Sequence, residues 1–263
     1  MIVIAGDKDS GKTTLVASVY DLFQAGPFAG YLFAGCGTFP GLERRCFPSR
    51  LASDRIHPDT TRTTRGDGQK LLHLKARIQD LSRPAQDIMF SDISGEVFKD
   101  ACNSTEDCRQ LQILNRADHV ALCLDGEKLA STSLRHEAFN TAVLFLQSAL
   151  DAGMIGLRTF VDVLILKRDL LGPVQGSSPA LDYVHSIQER IGDQFDGKFG
   201  RLSFFEIAAR PAVAEFPFGY GLEKVLPCWI EDTPLYSQPH PIELRELASS
   251  LAQTEFDRYV LKR

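Results

Sequence analysis

Short apolar runs alternate along the chain with longer stretches whose apolar residues recur at helical spacing. The runs predict strands over residues 2–5, 70–76, 87–92, 119–124, 160–166 and 202–207. The longer stretches predict helices over residues 12–24, 96–115, 134–151, 179–196 and 221–231. Strands that alternate with helices of this length indicate βαβ units. We therefore predict a three-layer α/β fold, a mostly parallel sheet of about six strands with helices on both faces.

Three segments depart from this alternation. Strand 70–76 has a looser pattern, which favours an antiparallel edge strand. Residues 26–58 are rich in glycine and proline and predict an insertion between the first helix and that strand. The prolines of 232–241 indicate a linker, followed by an amphipathic helix over 242–259 that packs back on the domain or binds a partner. We thus predict one domain over 1–231 and a C-terminal addition over 232–263.

Composition narrows the class of partner and the compartment. The chain of 263 residues is 44% hydrophobic and 24% charged, as expected for a globular domain, and its net charge of -5 argues against nucleic acid as the main partner. It shows no secretory signal and no apolar run of transmembrane length, so we expect a cytoplasmic protein without membrane insertion. The six cysteines lack metal-site spacing, and we expect reduced thiols.

The most specific motif lies at the start of the chain. Residues 6–13 read Gly-Asp-Lys-Asp-Ser-Gly-Lys-Thr, which fits G-x-x-x-x-G-K-[ST] between a predicted strand and a predicted helix. Such a loop directs backbone N–H groups and a helix N-terminus at phosphate, so the predicted fold is that of a P-loop NTPase. Lys12 is expected to reach the terminal phosphates and Thr13 to bind Mg²⁺. The predicted phosphate-binding residues are Asp9, Ser10, Gly11, Lys12, Thr13 and Thr14.

A second motif, Asp-x-x-Gly, ends the apolar strand 87–92. Asp92 at such a strand end can hold the Mg²⁺ shell through water. Gly95 lets the backbone approach the γ-phosphate, so that one loop can sense whether this phosphate is present.

Three further segments complete the candidate site. Lys167 and Asp169 follow an apolar strand, where a carboxylate can accept both N–H groups of a guanine edge. Strand 202–207 leads into Ala209, whose backbone N–H can reach the base oxygen, and Arg210, which can cover the ring. The segment 60–64 is rich in threonine, and Thr63 or Thr64 is expected to complete Mg²⁺ coordination.

Taken in order, these motifs resemble those of Ras-like GTPases of the translation-factor-related class over residues 1 to about 231. The resemblance implies a GTP/GDP switch with slow hydrolysis that a protein partner accelerates. It also implies phosphate contacts for Lys12, Mg²⁺ for Thr13, the metal shell and γ-phosphate sensing for Asp92 and Gly95, and guanine for Lys167 and Asp169. The segments 33–38 and 41–44 look like the insertion of bacterial double-GTPases, which implies a signalling or conflict system.

Several positions depart from the family pattern. Leu166 stands where Asn or Thr usually opens the guanine motif, and Ala208 stands where the last box has Ser. Glu96 replaces the water-orienting Gln, and its carboxylate adds repulsion beside the γ-phosphate while it can still hold a water. Asp9 resembles the translation-factor residue that can hold a monovalent cation.

Three hypotheses remain open at this point. The first is a regulatory GTPase in which Lys12, Gly95 and Glu96 carry catalysis and Arg62 or Arg65 acts as a finger in cis. The second is a nucleotide-binding scaffold with little or no hydrolysis. The third is a P-loop ATPase or phosphotransferase. The effector, the activating partner and the oligomeric state are not predicted by any motif.

Overall fold

A seven-stranded sheet organises the computed structural model, which describes residues 1–46 and 71–231. The strands are β1 (Ile2–Gly6), β2 (Tyr31–Gly35), β3 (Leu71–Ile78), β4 (Gln86–Asp92), β5 (His119–Asp125), β6 (Phe160–Leu166) and β7 (Arg201–Glu206). The helices are α1 (Lys12–Ala25), α2 (Phe39–Cys46), α3 (Gly95–Asn103), α4 (Thr105–Gln110), α5 (Gly126–Ala130), α6 (Arg135–Asp151), α7 (Pro179–Gln194) and α8 (Leu222–Glu231). Short 3₁₀ turns cover Gln112–Arg116 and Arg168–Leu170.

The strand order is β2-β3-β4-β1-β5-β6-β7, with the phosphate-loop strand β1 at the centre. β1 pairs in parallel with β4 and β5, and β6 pairs in parallel with β5 and β7. β3 runs antiparallel to β4 and to β2. The predicted α/β fold is therefore confirmed, and the carboxyl ends of β1, β4, β5 and β6 meet at one edge of the sheet.

Helices cover both faces of the sheet and enclose two hydrophobic clusters. On one face α1, α2 and α8 pack around fully buried side chains such as Leu15, Leu42 and Leu226. On the other face α3, α4, α6 and α7 pack around Phe98, Phe145 and Ile187. Because β1 and β5 are buried along their whole lengths, they read in the sequence as continuous apolar runs rather than as alternating ones.

The predicted insertion contains regular structure that the sequence prediction missed. Tyr31–Gly35 is an additional strand that pairs with β3, and Phe39–Cys46 forms a helix. The prediction of β3 as an antiparallel strand is confirmed, but its prediction as the edge strand is wrong because β2 lies outside it. The residues 26–58 beyond Cys46 lie outside the described ranges, as do the linker and helix predicted over 232–263.

The single helix predicted over 96–115 is also wrong in its continuity. Ser104 adopts an extended conformation between α3 and α4, with φ −147° and ψ 120°. Its hydroxyl accepts the Asp107 N–H at 3.1 Å, so the residue caps a new helix instead of continuing the old one. Serine is favoured at this position because its side chain competes for backbone hydrogen bonds.

Two expectations about the whole chain can be compared with the structure. Within residues 1–46 and 71–231, no helix combines the length and the apolar character that a bilayer crossing requires. All six cysteines lie in these ranges, and none of them forms a disulfide.

Candidate functional site

The candidate site lies at the edge of the sheet where the central parallel strands end. The register pairs Ile4 with Asp92, Gly6 with Cys123, and Asp125 with Leu166. The loops that follow β1, β4, β5 and β6 are therefore neighbours, although their residues are up to about 160 positions apart in the sequence. Ligands of open α/β sheets bind at such an edge.

The phosphate loop between β1 and α1 holds its lysine in a defined position. The Lys12 ammonium donates to the carbonyl oxygens of Gly6 at 2.9 Å and Asp7 at 2.7 Å. Two of the three ammonium donors are used in this way, and the third can meet a phosphate. The Ser10 hydroxyl donates to the Asp7 carbonyl at 2.8 Å, so this side chain shapes the loop. Asp9 is exposed at the tip of the loop, with φ 61°.

The N-terminus of α1 is suited to an anion. Gly11 precedes the helix with φ 98°, a conformation that glycine adopts at little cost. In the described part of the chain, no side chain caps this helix end. Backbone N–H groups of the first helical turn can therefore donate to phosphate oxygens, where the helix dipole adds positive potential.

The two predicted Mg²⁺ residues of the described chain lie in direct contact. The Thr13 hydroxyl donates to Asp92 Oδ2 at 3.2 Å, although the residues are 79 positions apart. Asp92 is buried at the end of β4, beside the strand that carries the phosphate loop. A hydroxyl and a carboxylate form a set of oxygen donors of the kind that Mg²⁺ accepts directly or through water. These residues therefore fit the metal.

Gly95 touches the phosphate loop so closely that no side chain fits. A Cβ on Gly95 would lie 2.4 Å from the Lys8 backbone nitrogen and 2.6 Å from its Cα. Ser94 caps α3 with its hydroxyl at 3.4 Å from the Val97 nitrogen, which fixes the turn after β4. Glu96 is exposed in the first turn of α3. The Asp-x-x-Gly segment and the phosphate loop thus form one continuous surface.

An open pocket of about 840 Å³ joins the phosphate loop to the predicted base-binding residues. Gly11 and Thr14 line this pocket together with the predicted guanine residues. These residues are Lys167, Asp169, Ala209 and Arg210. Leu170, Val213, Phe216 and Phe218 supply apolar wall. The fold therefore brings together residues of α1, of the turn after β6 and of the loop after β7.

The carboxylate of Asp169 is held by the neighbouring loop. Asp169 is buried, and its Oδ2 accepts the Ala212 N–H at 2.8 Å. The family box has a serine at Ala208, and here a backbone N–H four residues later donates to the carboxylate. Ala208 itself pairs its backbone N–H with the Tyr220 carbonyl at 3.0 Å, which closes the loop.

Arg210 lines the pocket but is bound to α1. Its guanidinium pairs with Asp21 and lies 5.4 Å from the centroid of the Phe218 ring. The arrangement ties the loop after β7 to the helix that follows the phosphate loop. Its predicted role in covering a base ring stays a prediction.

Leu166 packs against the phosphate loop at the position where the family usually has Asn or Thr. A Cβ on Gly11 would lie 3.5 Å from Leu166 Cδ1, an ordinary van der Waals distance. Leu166 is 3% exposed and belongs to the hydrophobic cluster around α1. A buried apolar side chain therefore lies beside the phosphate loop where the family usually has a hydrogen-bonding residue.

The residue between Lys167 and Asp169 is a buried cation. Arg168 is 4% exposed, and its Nε donates to Glu206 Oε2 at 2.6 Å. Its terminal nitrogens donate to the carbonyl oxygens of Gly172 at 2.9 Å and Pro173 at 3.0 Å. The guanidinium also lies 5.4 Å from the centroid of the Phe216 ring. One side chain thus fixes the turn that presents Asp169.

The turn after β5 carries charges that the sequence analysis missed. Lys167 donates to Asp125 at 3.0 Å and to Glu127 at 2.9 Å, and Lys128 pairs with Asp7 in the phosphate loop. Polar residues that directly follow a buried strand beside the phosphate loop are a recognisable sequence feature. The residues 125–128 have this feature, and it could have identified them.

These ion pairs shift the protonation equilibria of the groups that form them. Burial alone would raise the pKa of Asp7, but the hydrogen bonds from Lys128 and from the Lys8 backbone hold it below its usual value. Burial alone would lower the pKa of Lys167, but Glu127 and Asp125 raise it. The hydrogen bond from Lys167 lowers the pKa of Glu127. All of these groups are therefore charged at neutral pH.

Part of the predicted site lies outside the described residues. Thr63 and Thr64, predicted for Mg²⁺, and Arg62 and Arg65, predicted as fingers in cis, belong to the segment between Cys46 and Leu71. Among the residues that the structure does describe, no group of three or more His, Cys, Asp or Glu side chains is placed to hold a metal.

The central phosphate-loop strand, the uncapped helix that follows it and the Thr13–Asp92 contact define a P-loop protein of the NTPase fold. A family described as Double-GTPase 2 matches residues 1–230. The chain therefore belongs to the Double-GTPase 2 family, which confirms the resemblance inferred from the motifs.

Solved structures show more distant likenesses. A chain of the signal recognition particle receptor SRb-GTP/SRX complex from Chaetomium thermophilum is 12% identical with a TM-score of 0.44, over 82% of this chain and 92% of that chain. The Ski7 GTPase-like domain of S. cerevisiae, bound to GTP, is 16% identical with a TM-score of 0.34, over 77% of this chain and 42% of that chain. No curated protein matches the sequence.

Proposed function

We propose that this chain is a guanine nucleotide switch that binds Mg²⁺-GTP and GDP and hydrolyses GTP slowly until a protein partner accelerates it. The observation that carries the proposal is the pocket of about 840 Å³ that joins Gly11 and Thr14 to Asp169 and Ala209. A nucleotide that lies across this pocket has its phosphates at the N-terminus of α1 and its base beside a buried carboxylate. Membership of a GTPase family supports the same assignment.

Phosphate binding rests on the loop between β1 and α1. Lys12 offers its remaining ammonium donor, and the first turn of α1 offers backbone N–H groups. Thr13 and Asp92 would hold Mg²⁺, together with Thr63 or Thr64, and Asp9 is the candidate for a monovalent cation. A Mg²⁺ ion held there would neutralise charge on the phosphate oxygens.

Hydrolysis requires a positioned water and stabilisation of the transferring phosphoryl group. We expect the Gly95 backbone to contact the γ-phosphate, and its closeness to the phosphate loop supports this role. Glu96 follows at the start of α3 and is the candidate for orienting water. Its carboxylate repels the γ-phosphate, which favours a slow intrinsic rate. A partner that supplies an arginine can raise such a rate by up to about 10⁵-fold.

The proposed biological role follows from the switch. GTP would order residues 60–68 and 92–100, and hydrolysis would release them. A protein effector would read this difference in a bacterial signalling or conflict system in the cytoplasm. The negative net charge of -5 supports a protein partner rather than nucleic acid.

Base selectivity tests the proposal most directly. Purified protein is offered labelled GDP with unlabelled GTP, ATP and XDP as competitors. We expect GTP to compete far better than ATP. In Asp169→Asn, preference shifts from guanine to xanthine nucleotide, because an amide can donate to the xanthine oxygen that replaces the guanine amine. Equal competition by ATP, or an unchanged preference in Asp169→Asn, would overturn the assignment in favour of an ATPase or phosphotransferase.

Glu96 favours a second candidate function, a nucleotide-binding scaffold that hydrolyses little or no GTP. Single-turnover hydrolysis at saturating Mg²⁺-GTP separates the two candidates. A slow but measurable release of phosphate that increases in Glu96→Gln supports the switch. The scaffold is supported if both the unsubstituted protein and Glu96→Gln bind GTP tightly but release no phosphate, even when cell extract is added.

A further inference from the structure

The short helix α5 (Gly126–Ala130) lies between two loops of the candidate site. These are the phosphate loop after β1 and the base loop, the turn Lys167–Asp169 after β6. The helix follows β5, the strand between the phosphate-loop strand β1 and the base-loop strand β6. Asp125 caps this helix, because its Oδ1 accepts the Glu127 N–H at 3.0 Å. None of its residues enters the proposed binding of phosphate, metal or base. Its charged side chains nevertheless contact both loops.

Toward the base, the helix holds the ammonium of Lys167. Asp125 Oδ2 lies 3.0 Å from this nitrogen, and Glu127 Oε2 lies 2.9 Å from it. The Asp125 side chain is 6% exposed, so the contact is partly shielded from water. Lys167 adopts a left-handed backbone conformation with φ 53°, and the two carboxylates bind its side chain in that strained position.

Toward the phosphates, the helix holds the carboxylate of Asp7. Lys128 pairs with Asp7 Oδ2, while Asp7 Oδ1 accepts the Lys8 backbone N–H at 2.8 Å. Lys99 of α3 lies 3.8 Å from the same carboxylate. Lys128 therefore restrains the start of the loop whose lysine and N–H groups face the phosphates.

The backbone provides a third contact. A Cβ on Gly126 would lie 2.3 Å from the Leu166 carbonyl oxygen and 2.7 Å from that of Lys167. The backbone of α5 is thus closely packed against the main chain of the base loop, while its side chains contact both loops. Such close packing transmits a displacement instead of absorbing it.

From these contacts we propose that Glu127 and Lys128 are positioning residues that couple base recognition to the geometry of the phosphate loop. The inference rests on the proposed guanine nucleotide site and adds a regulation of that site. A base bound beside Lys167 fixes this side chain and, through α5, the Asp7–Lys8 turn. Because coupling between two sites is reciprocal, the phosphates also stabilise the base loop.

The experiment measures GDP dissociation from Glu127→Gln, Lys128→Met and the double variant. Each single variant is expected to release GDP about fivefold faster, as for a partly exposed ion pair. The double variant is expected to remain near the same value, because both residues belong to one connection. An increase of about 25-fold, the product of two independent effects, would overturn the coupling, and so would unchanged rates. Glu223→Gln and Lys224→Met, an exposed pair in the first turns of α8, are the matched controls.

A phosphorus NMR spectrum of bound GDP separates positioning from simple stabilisation. The Glu127 side chain forms its ion pair with Lys167, on the base side of the site. The β-phosphate resonance should nevertheless shift in Glu127→Gln and return in Glu127→Asp. An unshifted resonance would overturn the proposal. If the unsubstituted protein itself binds no GDP, the proposed function fails; if it binds GDP and these variants behave like it, only the coupling fails.

Discussion

The phosphate half of the site (Gly6–Thr13, Asp92 and Gly95) and the base half (Leu166–Asp169 and Ala208–Arg210) are built in different ways. In the phosphate half, backbone conformation and small residues determine the geometry, and the sequence follows the family pattern closely. In the base half, the sequence departs from the pattern at Leu166 and Ala208. There the carboxylate of Asp169 accepts the Ala212 N–H from outside the motif, and the buried Arg168 pairs with Glu206.

The difference teaches where substitution is tolerated. A loop that binds through its main chain has no replacement for Gly95, since any side chain there meets the Lys8 backbone. A base loop can lose a hydroxyl and regain a donor from the Ala212 N–H, which lies 2.8 Å from Asp169. It can also have a buried apolar side chain, Leu166, where the family usually has a polar one. How closely a motif follows the family pattern therefore reflects how strongly its backbone is constrained, more than how important its residues are for function.

The largest expected effect comes from the buried cation of the base half. Arg168→Met removes the hydrogen-bonded partner of Glu206 Oε2 and leaves the carbonyl oxygens of Gly172 and Pro173 without the guanidinium donors. We expect unfolding to become easier by about 3 kcal/mol, because breaking a buried ion pair leaves uncompensated polar groups. Urea denaturation measures the loss.

Arg109→Met is the matched control for Arg168, because Arg109 forms an exposed pair with Glu106. It should cost at most about 0.5 kcal/mol. Equal losses in the two variants would contradict the view that the base half depends on buried polar contacts.

The phosphate half is tested by Lys12→Met. We expect binding of GDP and GTP to weaken by roughly 100-fold, the equivalent of one or two charge-assisted hydrogen bonds. Isothermal titration calorimetry gives both affinities. Lys198→Met, at an exposed position, should bind as the unsubstituted chain does. A loss of GTP binding with intact GDP binding would show that Lys12 serves the γ-phosphate alone.

Restoring the family residue sharpens the comparison further. Leu166→Asn places an amide among the apolar side chains around α1, where Leu166 is 3% exposed. We expect a loss of about 2 kcal/mol in stability, without tighter GDP binding, because the surroundings are adapted to an apolar residue. Leu166→Met keeps the volume and should lose less than about 1.5 kcal/mol. Tighter GDP binding by Leu166→Asn would contradict this expectation.

The smallest expected effect separates the two nucleotides. Gly95→Ala displaces the Asp-x-x-Gly turn from Lys8, because the new methyl group cannot fit. GTP affinity should fall by about tenfold, as one contact to the γ-phosphate is lost, while GDP affinity stays within about twofold. Gly192→Ala, where a Cβ meets no atom within 4 Å, is the control. An equal loss for both nucleotides would place the effect in the phosphate loop itself.

Most of the architecture could be predicted from the sequence because buried parallel strands appear in it as continuous apolar runs. The sequence prediction missed β2, since Tyr31–Gly35 is short and lies among glycines that predict turns. It missed the break at Ser104, where a local cap overrides helical periodicity. The candidate site was predicted as far as it depends on motifs. Arg168 and Lys128 escaped because their roles depend on partners 38 and 121 positions away, which no local pattern encodes.

One hydrogen bond joins the edge of the sheet to the last helix of the described residues. The Tyr31 hydroxyl of β2 bonds with Glu231, the last residue of α8. Glu231, at the end of α8, therefore lies beside β2, the outermost strand of the sheet. A probe attached at Glu231 would therefore report on β2, and the hydrogen bond joins two residues that are 200 positions apart in the sequence.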